Sequence, residues 1–170
     1  MNSNFKITFQ FILLVFVQVL LMNKIRLFGY INPIIYIVFI FTYPLQKEKG
    51  NFLFLSFLLG LTIDIFTNSG GSNAAATLFI AFIRLATLKI IEGNNEIDFV
   101  MFNIKKLNFV QSFTYIFSLT FIHHLILFFL EYYKTRGFLH ILSSSFKTTI
   151  FSVILIGFIL QLTVKNNINE

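Results

Sequence analysis

Two residues in this sequence carry a charge where the chain around them is apolar. Asp64 and Arg84 fall within Leu58–Arg84, LLGLTIDIFTNSGGSNAAATLFIAFIR, where two apolar segments flank the small polar run Asn68-Ser69-Gly70-Gly71-Ser72-Asn73. A lone charge at bilayer depth costs several kcal/mol unless it faces a bundle interior, water or a partner. Asp64 is therefore a candidate intramembrane carboxylate that handles a proton or a ligand. The other reading is structural: an acid close enough to the turn to reach headgroup water, or one that fastens the turn through hydrogen bonds. At 1.5 Å per residue Asp64 lies roughly 6 Å below the loop and Arg84 roughly 16 Å below it, an axial gap that argues against a direct pair. The structural reading of Asp64 is the preferred one.

His123-His124 looks like a metal site at first sight. Adjacent helical positions diverge by about 100°, however, whereas chelation from one helix uses i, i+3 or i, i+4 spacing. His124 and Glu131 are seven apart and share a face two turns removed. The remaining histidine is His140, and there is no cysteine, so disulfides and thiolate metal sites are excluded. No Gly-rich phosphate loop with a following Lys, no HExxH and no nucleophile elbow is present. Asp64 is the one acid in any expected helix interior. No metal, cofactor or catalytic constellation is expected, and the chain reads as a non-enzyme.

These residues need elements to hold them. Of 170 residues 56% are hydrophobic and 12% charged, about half the charge of an ordinary soluble domain. The mean hydropathy is +0.81. The apolar residues come in long blocks, the pattern of an integral membrane protein. The thirteen Lys and Arg residues, which give a net charge of +6, are spread singly between the blocks. That pattern suits loops beside anionic lipid, not nucleic acid.

Taken in order, the blocks predict six transmembrane helices in a single domain, 1–170. The first covers Ile7–Met22, read as an uncleaved anchor because no small-residue cleavage site follows it. The second begins at Asn32-Pro33 and runs through Ile34–Tyr43 to Pro44, with proline tolerated in its first turn. Lys47-Glu48-Lys49-Gly50 connects to the third, Asn51–Thr67, and the fourth is Ala74–Ile91. Glu92–Asn108 is the one long polar connection, with an interfacial helix around Ile97–Leu107 or a plain loop as alternatives. The fifth is Phe109–Leu130. Arg136–Ser145 reads as a re-entry segment and Lys147–Val164 as the sixth helix. Small residues let transmembrane helices approach closely. Gly60 and Ala74–Ala76, centred on Ala75, therefore predict a tight hairpin of helices three and four, with Gly70 and Gly71 in its turn. Seven Lys/Arg residues on one side (6, 47, 49, 89, 105, 106, 165) against five on the other (24, 26, 134, 136, 147) favour cytoplasmic termini.

Three stretches then resemble a known family. QVLLMNKIRLFGYINPIIYIVFIF (Gln18–Phe41), the hairpin Leu58–Arg84 and HHLILFFLE (His123–Glu131) are together similar to the rod shape-determining MreD family, most of all to its Bacteroidetes versions. The resemblance implies an inner-membrane component of the bacterial cell-elongation machinery. It also implies partners: an MreC-like membrane protein, and, directly or indirectly, the actin-like MreB and the RodA–penicillin-binding-protein synthase. The implied six-helix fold is similar to the substrate-binding subunits of energy-coupling-factor transporters, and no catalytic residues are implied. The alternative is such a vitamin-type transporter subunit itself. Those subunits dock their coupling partner through small residues on the first helix, whereas Phe9–Leu21 here has no Ala or Gly.

Overall fold

Where no water reaches the backbone, every N–H and C=O must find a partner within the protein, so long apolar blocks become helices. The computed structural model describes residues 3–25, 32–45, 49–93 and 107–165. In order these form α1 (Ser3–Leu20), a 3-10 turn (Met22–Lys24), α2 (Val38–Thr42), α3 (Lys49–Thr67), α4 (Ser72–Glu92), α5 (Phe109–Tyr132) and α6 (Phe138–Lys165). Among the described residues there is no strand. All but α2 are long and apolar enough to cross a membrane, five helices among the described residues. This is a helical membrane protein. The helices pack in chain order, α3 on α4, α4 on α5 and α5 on α6, with α1 laid against α3.

The second block departs from the sequence-based expectation. It is not a spanning helix: Asn32–Ile35 is non-helical, and only the five residues of α2 are helical. Two prolines bound the block, and its interior, IIYIVFIFTY, is β-branched and aromatic, types that crowd the preceding helical turn. All of Ile34–Phe41 is buried, and Ile35–Ile40 essentially completely. The C-terminal half of α1 lies beside the C-terminal half of α3, where Phe11, Val15, Val19, Thr62 and Phe66 line one groove. With α1 and α3 parallel, the chain between them must return, and it returns through the middle of the bundle. The run starts beside Gln18 and Asn73 and ends beside Gln10 and Arg84. Eight residues of α1 and eleven of α4 measure that descent at roughly 12–16 Å.

A non-helical segment buried among apolar helices needs side chains to replace its missing helical hydrogen bonds. Gln18 supplies most of them. Its Oε1 accepts from the N–H groups of Ile35 (2.9 Å) and Tyr36 (3.4 Å), and its Nε2 donates to the carbonyl of Pro33 (3.2 Å) and to Asn23 Oδ1 (2.9 Å). Ser152 of α6 accepts the N–H of Ile34 at 2.9 Å. Gln18→Leu should therefore cost about 1–3 kcal/mol for each buried group left unpaired. A thermal unfolding scan in detergent should show a clear fall in midpoint, while Gln10→Leu, nearer the other end of α1, should change it less.

The remaining differences are smaller. Arg136–Ser145 is not a separate re-entry segment, because α6 runs unbroken from Phe138 for 28 residues. Two of its hydroxyls donate to carbonyls of their own helix, Ser145 to Ile141 O (2.8 Å) and Thr149 to Ser145 O (2.7 Å). Lys49 already belongs to α3. The stretch Ile97–Leu107, an interfacial helix or a plain loop by sequence, lies, apart from Leu107, outside the described residues, as do Lys47 and Glu48.

Candidate functional site

The first turn of a helix leaves N–H groups without partners, and α4 begins at a glycine that has no side chain to cap them. Gly71, at the N-cap position, has φ +94°, and Gly70 precedes it at φ +63°, both in the left-handed region that glycine enters without strain. The cap comes instead from α3. Asp64 Oδ2 accepts the N–H of Ala74 at 2.8 Å, and Oδ1 accepts the N–H and the Nδ2 of Asn73, each at 3.0 Å. Ser69 Oγ donates to Oδ1 as well. Asp64 is 4% exposed. Of the two structural roles open to it, the acid fastens the turn and does not reach out to water. A carboxylate at a helix N-terminus is also favoured by the helix dipole.

That grip requires α3 and α4 to touch. Gly60 lies one turn before Asp64, and a Cβ on it would sit 2.6 Å from Ala74 Cα and Asn73 O, and 2.7 Å from Ala74 N. The atoms in the way are backbone, so nothing can swing aside. Ala74 and Ala76 are buried, whereas Ala75, expected at this contact, faces outward. One step along a helix turns about 100°, so the middle of three alanines leaves the interface when its neighbours enter it.

Arg84 is bound elsewhere. Its Nη2 donates to the carbonyl of Tyr43 at 2.7 Å, and its guanidinium lies 4.9 Å from the centre of the Phe52 ring. Tyr43 is the C-cap of α2 and precedes Pro44, so its carbonyl has no continuing helix to bond it. The ring face adds a cation–π contact. Each intramembrane charge thus closes a helix end, Asp64 that of α4 and Arg84 that of α2.

The two histidines turn to different neighbours. Tyr36 Oη donates to Asn73 Oδ1 at 2.9 Å and lies 3.0 Å from His123 Nε2. The Tyr36 proton is committed to Asn73, so the bond to His123 runs from Nε2–H to the tyrosine oxygen. His124 Nδ1 lies 3.0 Å from Thr149 Oγ1, whose own proton goes to Ser145 O. His124 Nδ1 is therefore the donor, and its Nε2 faces Ser152 Oγ at 3.5 Å. Both rings are fully buried. Ser152 beside His124 has the composition of a nucleophile and a base. Yet the serine oxygen already accepts a backbone N–H, and the pair is fully buried. This arrangement holds hydrogen bonds and presents no nucleophile to a substrate. Among the described residues no three His, Cys, Asp or Glu side chains gather as a metal site.

Glu131 lies apart from the histidines, half-buried near the end of α5. It borders a chamber of about 380 Å³ at the end of the bundle that carries the α3–α4 turn. Gln18, Asn23, Asn32, Tyr36, Thr67, Asn73 and Tyr132 supply the other polar groups of its wall. Sequence reasoning missed Gln18, Tyr36, Asn73 and Ser152. A glutamine between Val17 and Val19, and a serine before Val153, were the available signals. Compared with known protein families, with curated proteins and with solved structures, the chain matches none.

Proposed function

We propose that this chain is a non-enzymatic scaffold of the bacterial cell-elongation machinery, a protein of the MreD type in the inner membrane. One observation carries the reading. The three stretches that resemble that family, Gln18–Phe41, Leu58–Arg84 and His123–Glu131, meet in a single buried network. Gln18 holds the backbone at Ile35, Tyr36 joins Asn73 to His123, and Asn73 is held by Asp64. The residues that suggest the family are thus among those that build the fold, and the buried groups of this network hold it. Arg84 Nε and His123 Nδ1 in the same stretches are buried without a hydrogen-bond partner among the described residues. A scaffold needs shape and surface, and this network supplies shape. The chain would pass the membrane six times, as five helices and one buried return, with both termini in the cytoplasm. Its partners would be an MreC-like membrane protein and, directly or through it, the MreB-like filament and the RodA–penicillin-binding-protein synthase. The fold would be akin to that of energy-coupling-factor substrate subunits.

Depletion in a rod-shaped host tests this: rods should round up, and purification should recover the MreC-like partner. Unchanged shape on depletion would overturn the proposal. Reporter fusions at Glu48, Glu96 and the C-terminus should read cytoplasm, and fusions at Gly29 and Gly137 the opposite side.

The chamber favours one other reading, a vitamin-type transporter substrate subunit. Against it stands the outer face of α1, where Phe5, Phe9, Ile12, Phe16 and Leu20 are exposed and bulky. A vitamin co-purifying in stoichiometric amount, or a transporter ATPase in place of shape genes as the chromosomal neighbour, would decide for that reading.

A further inference from the structure

A threonine inside a membrane helix can satisfy its hydroxyl on the carbonyl of the preceding turn. Thr62, Thr77, Thr87 and Thr149 all do so here, each donating to the carbonyl four residues earlier. Thr120 does not. It is fully buried at the middle of α5, yet its Oγ1 has no hydrogen-bond partner among the described residues. The hydroxyl has thus turned away from the Ile116 carbonyl that its own helix offers. A second such atom lies one turn along. His123 is also fully buried, with its Nε2 3.0 Å from Tyr36 Oη and 3.4 Å from Thr77 Oγ1. The protons of Tyr36 and Thr77 go to Asn73 Oδ1 and Asn73 O, so the ring carries its hydrogen on Nε2. In the neutral ring Nδ1 is then an acceptor, and it too has no partner among the described residues.

Helical residues three apart share a face, with Cβ atoms about 5–6 Å from each other. Thr120 Oγ1 is one bond from its Cβ and His123 Nδ1 two bonds from its own. The two atoms do not bond each other. A gap of that order is bridged by one water making a hydrogen bond of about 2.8–3.0 Å on each side. A buried water needs at least two polar partners, and an apolar cavity stays dry. A neutral acceptor and a hydroxyl are partners for water and not for an ion. We infer that α5 holds one internal water between Thr120 and His123, donating to Nδ1 and accepting from the Thr120 hydroxyl. It lengthens the chain Asp64–Asn73–Tyr36–His123 by one turn of α5, at a depth where bulk water cannot replace a missing bond. The inference does not rest on the cell-elongation reading.

The test is water-edited solid-state NMR on the full chain in lipid bilayers, with nitrogen-labelled histidine and the exposed imidazole removed by His140→Asn. His124 has both ring nitrogens beside protein hydroxyls and serves as the dry reference. His123 Nδ1 should read as the unprotonated nitrogen of a neutral ring and receive magnetisation from water faster than either nitrogen of His124. Thr120→Val keeps the shape and removes the hydroxyl. It should abolish that transfer and lower the thermal midpoint by about 2–4 °C, the shift for one buried hydrogen bond in a chain of this size. Thr120→Ser, which keeps the hydroxyl, should retain the transfer. A hydroxyl with no partner predicts the opposite, because an apolar group of the same shape is then neutral or stabilising. An unchanged or higher midpoint for Thr120→Val, or transfer that survives it, would overturn the inference. So would transfer to wild-type His123 no faster than to His124. If Thr120→Val does not accumulate, that wild-type comparison decides alone.

Discussion

Gly60→Leu should leave little folded protein in the membrane. A methyl at this position already collides with the Ala74 and Asn73 backbone at 2.6 Å, and leucine adds three more carbons to the same space. Overpacking a well-filled interior costs about 1–3 kcal/mol where side chains can yield. Here the obstacle is a helix backbone, so α3 and α4 must move apart as units. The movement also withdraws Asp64, one turn away, from its four donors in the turn and the first turn of α4. The two losses add, and membrane-extracted protein should fall to a small fraction of wild type by quantitative blotting. Gly60→Ala should lie between them. Normal abundance of Gly60→Leu with normal thermal stability would show that the helices do not meet there.

Asp64→Asn should be damaging, although it preserves shape. All four of its partners are donors, and a carboxylate offers acceptors on both oxygens. An asparagine offers one oxygen and one NH2. Whichever way it turns, its NH2 faces a donor: the Ala74 N–H on one side, or Ser69 and Asn73 on the other. One buried pairing is lost at a cost of about 1–3 kcal/mol. The favourable charge at the α4 N-terminus, worth about 0.3–2 kcal/mol, goes with it. Asp64→Ala removes all four and should be worse. The order wild type, Asn, Ala in thermal midpoint is the expected result, and equal midpoints for wild type and Asn would remove Asp64 from its capping role.

Much of this architecture was legible because the membrane simplifies the code. Length and unbroken hydrophobicity mark α1, α3, α4 and α5 within a few residues, and Gly60, Asp64 and the glycine turn mark the hairpin. The second block was not legible in the same way. Its composition suits a helix or an extended run, and the choice rests on Gln18 and Ser152, which lie 17 and 118 residues from the backbone groups they satisfy. Local sequence cannot show that a distant glutamine replaces helical hydrogen bonds. Ala75 was misjudged for another reason: three alanines in a row do not reveal the helix phase, and the backbone of Ala74 proves to be the contact. The chamber beside Glu131 was hidden because its wall comes from α1, the buried return, α3, α4 and α5 at once.

The central claim is that the buried polar residues serve the fold and that the fold serves assembly. Complementation of cell shape by the Asp64→Asn variant, divided by the amount of folded variant that co-purifies with the proposed MreC-like partner, tests it most directly. On this account the ratio equals that of wild type, because function is lost only as folded protein is lost. Complete loss of rod shape by a variant that accumulates and binds its partner normally would contradict the account and make Asp64 a working group.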